Sequence, residues 1–412
     1  MLLAAALTAP LLAACGAGSG GTTVRWFVGQ EESGAYEQAA RACGDASRGR
    51  YSIRLEPLPT TADLQRAMLV RRLAARDSGI DLMGMDVIWT AEFAAARWIR
   101  PWEGTRAAEV SRDVLVGPLA TARYQDRLWA APFTSNTQLL WYRRSLVPRP
   151  PTTWDAMIDL AEALPEGRNN IAVQGGRFEG YATWVQALLA STGTVLVRDA
   201  DRPDRAAPGL ADGPTERALS VVRRLADSAA ADPALAVTTE QTTGEQFEAG
   251  TAAFALAYPP IYPGTRREAP DVFADTAWAR YPAVVAGRPA RPPLGGVNLG
   301  VSAYSRHPEL AFDAATCLRS AANQKLAATA GGLPPTLSAV YDAREVRRQF
   351  PFGDLLRAEL ADAAPRPATP AYRDVSLAVQ QVLHPPAGLD PAVAVPRLRR
   401  AVAAALASES LL

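Results

Sequence analysis

The sequence predicts an α/β chain of more than one compact unit, in which helices cross between parallel strands. Its 412 residues are 48% hydrophobic and 21% charged, ordinary globular values. At about 150 residues per domain, that length suits two or three units. Apolar residues alternate at period two in short segments and recur at helical spacing between them. In the N-terminal region strand and helix alternate three times within about 75 residues, the pattern of a parallel sheet with crossover helices.

The elements follow in order. Residues 23–29, TVRWFVG, read as a strand and 36–46 as a helix. A second strand spans 51–57, where Ile53 and Leu55 alternate with polar positions. Leu64, Met68 and Leu73 recur at helical intervals over 61–76. A third strand over 81–87 precedes a helix over 89–98. Ligands of parallel sheets sit beyond the carboxyl ends of the strands, so Asp86 is placed to face one. Further on, Thr153 reads as an N-cap, with Asp155 favourable at the positive end of the helix that Trp154 opens. Helices are expected over 181–192, 214–229, 307–330 and 371–383, the third of these stopped by Gly331-Gly332-Leu333-Pro334-Pro335. Proline-rich stretches at 146–151, 259–263 and 289–293 mark loops.

Charge and rare residues exclude several classes. Lys+Arg 43 against Asp+Glu 42 gives a net charge of +1. That balance leaves no chain-wide footprint for nucleic acid. Two histidines, His307 and His384, each precede a proline, and three cysteines complete the soft ligands. Multi-histidine and cysteine-rich metal sites are excluded, and no G-x-S-x-G elbow accompanies either histidine.

Residues 2–14, LLAAALTAPLLAA, run straight into Cys15. The stretch is shorter than the roughly 20 residues a membrane span needs, but suits the apolar core of a secretory signal. Leu12-Ala13-Ala14-Cys15 resembles a bacterial lipobox, which implies acylation of Cys15. Gly16-Ala17-Gly18-Ser19-Gly20-Gly21 matches G-x-G-x-x-G formally, without the strand before it and the helix opening from it that a dinucleotide site needs. Lacking both, it reads as a tether. Export would leave Cys43 and Cys317 in an oxidising compartment, where two cysteines can form one disulfide.

Four segments together resemble the extracellular solute-binding proteins of sugar-importing ABC transporters (extracellular solute-binding protein family 1). They are Pro151-Thr152-Thr153-Trp154-Asp155, Phe247-Glu248-Ala249-Gly250-Thr251-Ala252-Ala253, Leu294-Gly295-Gly296-Val297-Asn298-Leu299 and Gly331-Gly332-Leu333-Pro334. Within that family, the segments at 85–93, 134–142 and 366–370 are similar to the trehalose-binding lipoproteins of actinobacterial trehalose-recycling importers, as are the segments holding Cys43 and Cys317. The resemblance implies a two-lobed, Venus-flytrap fold of the periplasmic-binding-protein type, each lobe a mainly parallel sheet flanked by helices. The lobes are expected to comprise 23–133 plus 297–333 and 134–296 plus 334–412, after a signal peptide at 1–14 and a lipidated linker at 15–22. Cys43 and Cys317 then share a lobe, as a disulfide between them requires.

Carried over by position, the family's sugar contacts fall on Asp86, Asn136, Glu240, Tyr258, Gly332, Leu333 and Arg366. Carboxylates and amides exchange hydrogen bonds with sugar hydroxyls, arginine donates a planar fork, and an aromatic ring covers the apolar face of a pyranose. Tyr258 stands where the family has tryptophan, and the segment 259–280 is shorter than in the family. Gln30, Glu31 and Glu32 also depart from the family pattern and carry no assigned role. Plainer roles stand beside these: Asp86 capping the next helix, Asn136 shaping a turn, Glu240 solvated on the surface, Tyr258 covering the core, Arg366 in a structural salt bridge. With Asp86 and Arg366 in different lobes and outside any core, truncating either should leave the fold nearly unchanged.

The function expected is a lipid-anchored receptor, not an enzyme, that binds a disaccharide, most readily trehalose. It would work as a monomer on the outer face of the cell membrane, without metal or organic cofactor, and deliver the sugar to ABC permease subunits. The rivals are a glycoside hydrolase using Asp86 and Glu240, a receptor for another disaccharide such as maltose, and a scaffold lipoprotein without a closed pocket.

Overall fold

The computed structural model describes residues 21–31, 33–165, 167 and 170–407. Cys15, the leader before it and Glu32 lie outside the described residues. The first strand, Thr22–Gly29, is flanked by Tyr51–Leu58 and Leu82–Asp86, parallel to both. The helices Ala35–Ala46 and Ala62–Ala74 make the two crossovers, and the Thr61 hydroxyl accepts from the Leu64 N–H to start the second. Leu294–Val301 and then Ala131–Thr137 complete the five-stranded sheet, both paired antiparallel. A second sheet has the order Thr276–Ala279, Leu139–Arg143, Ala252–Ala257, Asn170–Ala172. Of its pairings, only that between Ala252–Ala257 and Asn170–Ala172 is parallel.

Both sheets are mixed, but in each a single strand, Leu294–Val301 in the first and Leu139–Arg143 in the second, runs against the others, so the strand directions are mainly parallel as expected. Parallel neighbours need a crossover, and the N-terminal strands have one. Elsewhere the chain passes from one sheet directly into the other: Ala131–Thr137 runs on through Gln138 into Leu139–Arg143. Leu139–Arg143 thereby runs against the three other strands of its sheet. An apolar run in sequence carries no mark of that direction.

Period-two burial organises the second sheet. Leu140, Tyr142, Phe254 and Leu256 face one core with Trp154, Trp184 and Leu188. Their neighbours Leu139, Trp141, Ala255 and Ala257 face another with Phe352 and Tyr341. The Trp141 indole N–H donates to the Ala257 carbonyl at 2.9 Å, so its polar atom is satisfied. In the first sheet Val24, Trp26, Met83 and Met85 pack with Phe133 and the helix Pro308–Leu318. A disulfide joins that helix to Ala35–Ala46: the sulfurs of Cys43 and Cys317 are 2.04 Å apart, across 274 residues of chain.

Several elements differ from expectation for local reasons. The helix expected over 307–330 is two, Pro308–Leu318 and Ala321–Gly331, because the Ser320 hydroxyl accepts from the Asn323 N–H and starts a new helix. The helix expected over 89–98 shortens to Thr90–Ala95 after a 3₁₀ turn, Val87–Trp89, that the Asp86 carboxylate caps at 3.1 Å from the Ile88 N–H. Pro259 and Pro260 lead into a helix, Ile261–Glu268, rather than a longer loop, since proline suits a first helical turn. No helix among the described residues is long and apolar enough to cross a membrane.

Three chain segments meet where the sheets adjoin. Gly295 and Gly296 pair with Asn136 and Ser135, and the Ser135 N–H donates to the Pro334 carbonyl at 2.9 Å. The buried Gln324 fixes the last segment, its Oε1 accepting from the Thr336 N–H at 2.7 Å and its Nε2 donating to the Arg319 carbonyl at 2.9 Å. Gly296 has φ +137°, and a Cβ there would stand 2.3 Å from the Thr134 carbonyl oxygen. Gly296→Ala is therefore expected to cost about 1–3 kcal/mol in strain, read as a lower denaturation midpoint. An unchanged midpoint would show that this crossing is not tightly built.

Candidate functional site

Between the two sheets lies a cavity of ≈ 700 Å³. Asp86 reaches it from the carboxyl end of Leu82–Asp86, as the strand-end rule requires. Asn136 reaches it from the strand that leaves the first sheet, and Tyr258 from just past Ala252–Ala257. Glu240 opens the helix Glu240–Glu248, where Thr239 and Thr242 form a reciprocal cap. Leu333 and Arg366 enter from loops, Arg366 between Pro365 and Pro367. The cavity lining thus brings together Asp86, Asn136, Glu240, Tyr258, Leu333 and Arg366. Gly332 is absent from the lining: it ends the helix Ala321–Gly331 at φ +65°, buried, where a Cβ would meet Pro263 at 3.1 Å.

Arg366 is the electrostatic centre. Its Nη2 donates to Asp86 Oδ1 at 3.1 Å and its Nη1 to Glu179 Oε1 at 3.0 Å, with only 8% of its side chain exposed. Burial disfavours the guanidinium, but Asp86, the Tyr372 hydroxyl and Glu179 outweigh it and raise its pKa above the ordinary arginine value. Glu179 belongs to the helix Glu179–Ser191 that packs on the second sheet, whereas Asp86 belongs to the first. The Asp86–Arg366 pair therefore spans the two units. Glu179 is itself held: Tyr372 Oη donates to its Oε1 at 2.6 Å and the Ser376 hydroxyl to its Oε2. Burial, followed by the Glu179 charge, lifts the Tyr372 hydroxyl well above the usual tyrosine range. The two plainer roles considered for Asp86 and Arg366, helix cap and salt bridge, are both present, and both residues still face the cavity.

Glu240 is of another kind. Its side chain is exposed toward the cavity, yet protein surrounds it, and this burial lifts its carboxyl to about 7. The Asp86 charge pushes in the same direction and Arg366 opposes it. Burial and the Glu240 charge likewise raise the Tyr258 hydroxyl.

Cavity residues not anticipated from sequence include Tyr36, Gln174, Phe178 and Glu179. Gln174 and Phe178 follow the strand Asn170–Ala172, so the strand-end rule that singles out Asp86 would have found them had that short strand been recognised. Glu31, unassigned in sequence, accepts from the Ser33 and Ala35 N–H groups and shapes the entry to Ala35–Ala46. Among the described residues, three buried polar atoms of the wall lack a partner: the Asn136 Oδ1 acceptor and the Gln174 Nε2 and Arg366 Nε donors. Such atoms are costly unless something pairs with them.

Comparison with known proteins agrees with this architecture. A relative from Deinococcus radiodurans, a probable ABC transporter-binding protein, is 26% identical over 338 residues, covering 79% of this chain and 78% of that one. Among solved structures, maltose-bound MalE3 of T. maritima superposes with a TM-score of 0.81 at 21% identity, over 95% of this chain and 100% of that one. The GacH receptor of Streptomyces glaucescens, solved unliganded and with acarbose, gives 0.80 at 20% identity over 94% and 99%. A solute-binding protein of Thermotoga lettingae with α-D-tagatose gives 0.81 at 20% over 93% and 100%. At these identities the likeness shows the fold alone, a two-lobed binding-protein fold with α/β lobes. The family description "bacterial extracellular solute-binding protein" matches residues 73–350, more than half of the sequence, and the chain belongs to that family.

Proposed function

We propose that the protein is the lipid-anchored receptor of an ABC sugar importer and binds a disaccharide, trehalose foremost, in the cavity between its lobes. The observation that carries this reading is the set of unpartnered wall atoms, Asn136 Oδ1, Gln174 Nε2 and Arg366 Nε. They are an acceptor and two donors, and a sugar hydroxyl both donates and accepts. Tyr36, Phe178 and Tyr258 supply aromatic surface for the C–H faces of sugar rings. The volume lies within the range of small-ligand pockets, roughly 300–1,000 Å³. Maltose, acarbose and tagatose in the similar structures favour a carbohydrate over other solutes. The trehalose assignment rests on the motif resemblance around Asp86, Asn136 and Arg366.

The lobe division we propose is 23–133 with 297–333 against 134–296 with 334–412; its boundaries cross the paired strands Ala131–Thr137 and Leu294–Val301, and the other strands each belong to a single lobe. The disulfide between Cys43 and Cys317 and the lipobox-like Leu12-Ala13-Ala14-Cys15 support an exported, anchored protein, and we propose that it works as a monomer and hands its sugar to permease subunits. Stable anchoring takes more than one acyl chain. Cys15→Ala should release the protein from membranes or stall its processing, scored by fractionation. A mutant as firmly bound as wild type would refute the lipidation.

Asn136→Ala and Gln174→Ala should each weaken trehalose binding about tenfold to a hundredfold, the consequence of leaving a desolvated hydroxyl unpaired at about 1–3 kcal/mol. Thermal stabilisation by trehalose, proportional to RT ln(1 + [L]/Kd), reads the loss. Affinities within twofold of wild type in both variants would remove these residues from the site. One observation favours the hydrolase reading: Glu240, held near 7, shares the cavity with Asp86, and glycosidases pair a raised acid with an ionised carboxylate. Against it, Asp86 Oδ1 is committed to Arg366 and to the Ile88 N–H. Glucose released from trehalose in proportion to protein would establish hydrolysis; unchanged trehalose supports the receptor.

A further inference from the structure

The cavity wall is unevenly charged. Asp63, Asp86, Glu179 and Glu240 contribute carboxyl groups and Arg366 the one guanidinium. That guanidinium is already shared between two carboxylates, and its buried Nε–H has no partner among the described residues. Glu240 has neither a hydrogen-bond nor an ion-pair partner among the described residues, and the attraction of Arg366 does not outweigh its burial and the Asp86 charge. A second feature of the same wall calls for a polar partner. Gln174, 2% exposed, lines the same cavity with its Nε2 unpaired.

We infer that the cavity selects its sugar by charge, admitting neutral and amino-bearing disaccharides and rejecting phosphorylated or carboxylated ones, with Glu240 as the residue that sets the preference. The inference rests on the disaccharide reading and names its ligand class more narrowly. A phosphate on the ligand would bring added negative charge beside Glu240 and Asp86, with the guanidinium already committed. At 4 Å in a protein environment such charge pairs interact strongly enough to decide binding. An ammonium would find in Glu240 the partner that the wall does not provide. The raised carboxyl of Glu240 agrees: burial and Asp86 already oppose negative charge at this spot, and Arg366 does not offset them.

The test is calorimetric titration of the full chain, and of its Glu240→Gln variant, with trehalose, trehalose 6-phosphate and 6-amino-6-deoxytrehalose at one pH and low salt. For wild type the phosphate should bind at least a hundredfold more weakly than trehalose, and the amino sugar at least as tightly. In Glu240→Gln the amino sugar should lose at least fivefold relative to trehalose, and the phosphate penalty should shrink by a similar factor. Trehalose and its phosphate binding within threefold of each other would overturn charge selection while leaving the disaccharide reading intact. Ratios that move less than twofold in Glu240→Gln would overturn the role of that residue. Binding of the amino sugar without trehalose would support the selection and refute the trehalose reading, and binding of the phosphate alone would refute both.

Discussion

Arg366→Ala is expected to reduce stability and sugar affinity together. The side chain is 8% exposed and sits between Asp86 and Glu179, so alanine leaves two partly buried carboxylates facing each other without a cation. Removing one partner of a buried ion pair costs about 3–5 kcal/mol. The sequence led to the opposite expectation, that the ligand-free protein would melt unchanged. The contacts argue against that view, because the Glu179, Tyr372 and Ser376 cluster makes Arg366 part of the second unit's interior. Trehalose affinity should fall by at least a hundredfold, since the Nε–H donor and the bridge to Asp86 go together. Arg366→Lys keeps the charge but not the fork, and should recover stability more than affinity. Chemical denaturation and calorimetry measure the two effects separately. A ligand-free variant as stable as wild type would show that the network contributes nothing to the fold.

The other large effect concerns the disulfide. Cys43→Ser with Cys317→Ser opens a loop of 274 residues, and loss of a native crosslink of that kind costs about 2–5 kcal/mol. The bond ties Ala35–Ala46 to Pro308–Leu318, helices from opposite ends of the sequence that pack on the same sheet. The double variant should unfold at lower denaturant with its sugar specificity kept, because neither cysteine lines the cavity. Non-reducing peptide mapping of the wild type should recover the two as one crosslinked pair. Free thiols at both positions in the exported protein would contradict this.

What the sequence disclosed depended on how local the cause was. The N-terminal strand–helix alternation and the Thr153 cap are written within a few residues, and the structure has them: the Thr153 hydroxyl accepts from the Ala156 N–H at 3.2 Å. The antiparallel strand Leu294–Val301 was not legible, since its partners Leu82–Asp86 and Ala131–Thr137 lie more than 150 residues away. The same distance hid Glu179: an acid in the first turn of a helix looks solvated until the loop at 366 and the helix Tyr372–Leu383 close over it. Gln174 was missed because Asn170–Ala172 is too short to show alternation. Asp86 was legible because the end of a parallel strand is a place of known use. Arg366 came from motif resemblance, which named it as a sugar contact but said nothing of its ion pairs.

Calorimetric titration of the purified protein with trehalose tests the central proposal most directly, with maltose and sucrose as controls. The reading predicts saturable one-to-one binding of trehalose, tighter than either control by at least tenfold, and lost in Arg366→Ala. Absence of binding by trehalose and both controls, in protein shown by its unfolding transition to be intact, would contradict the assignment of this cavity to a disaccharide.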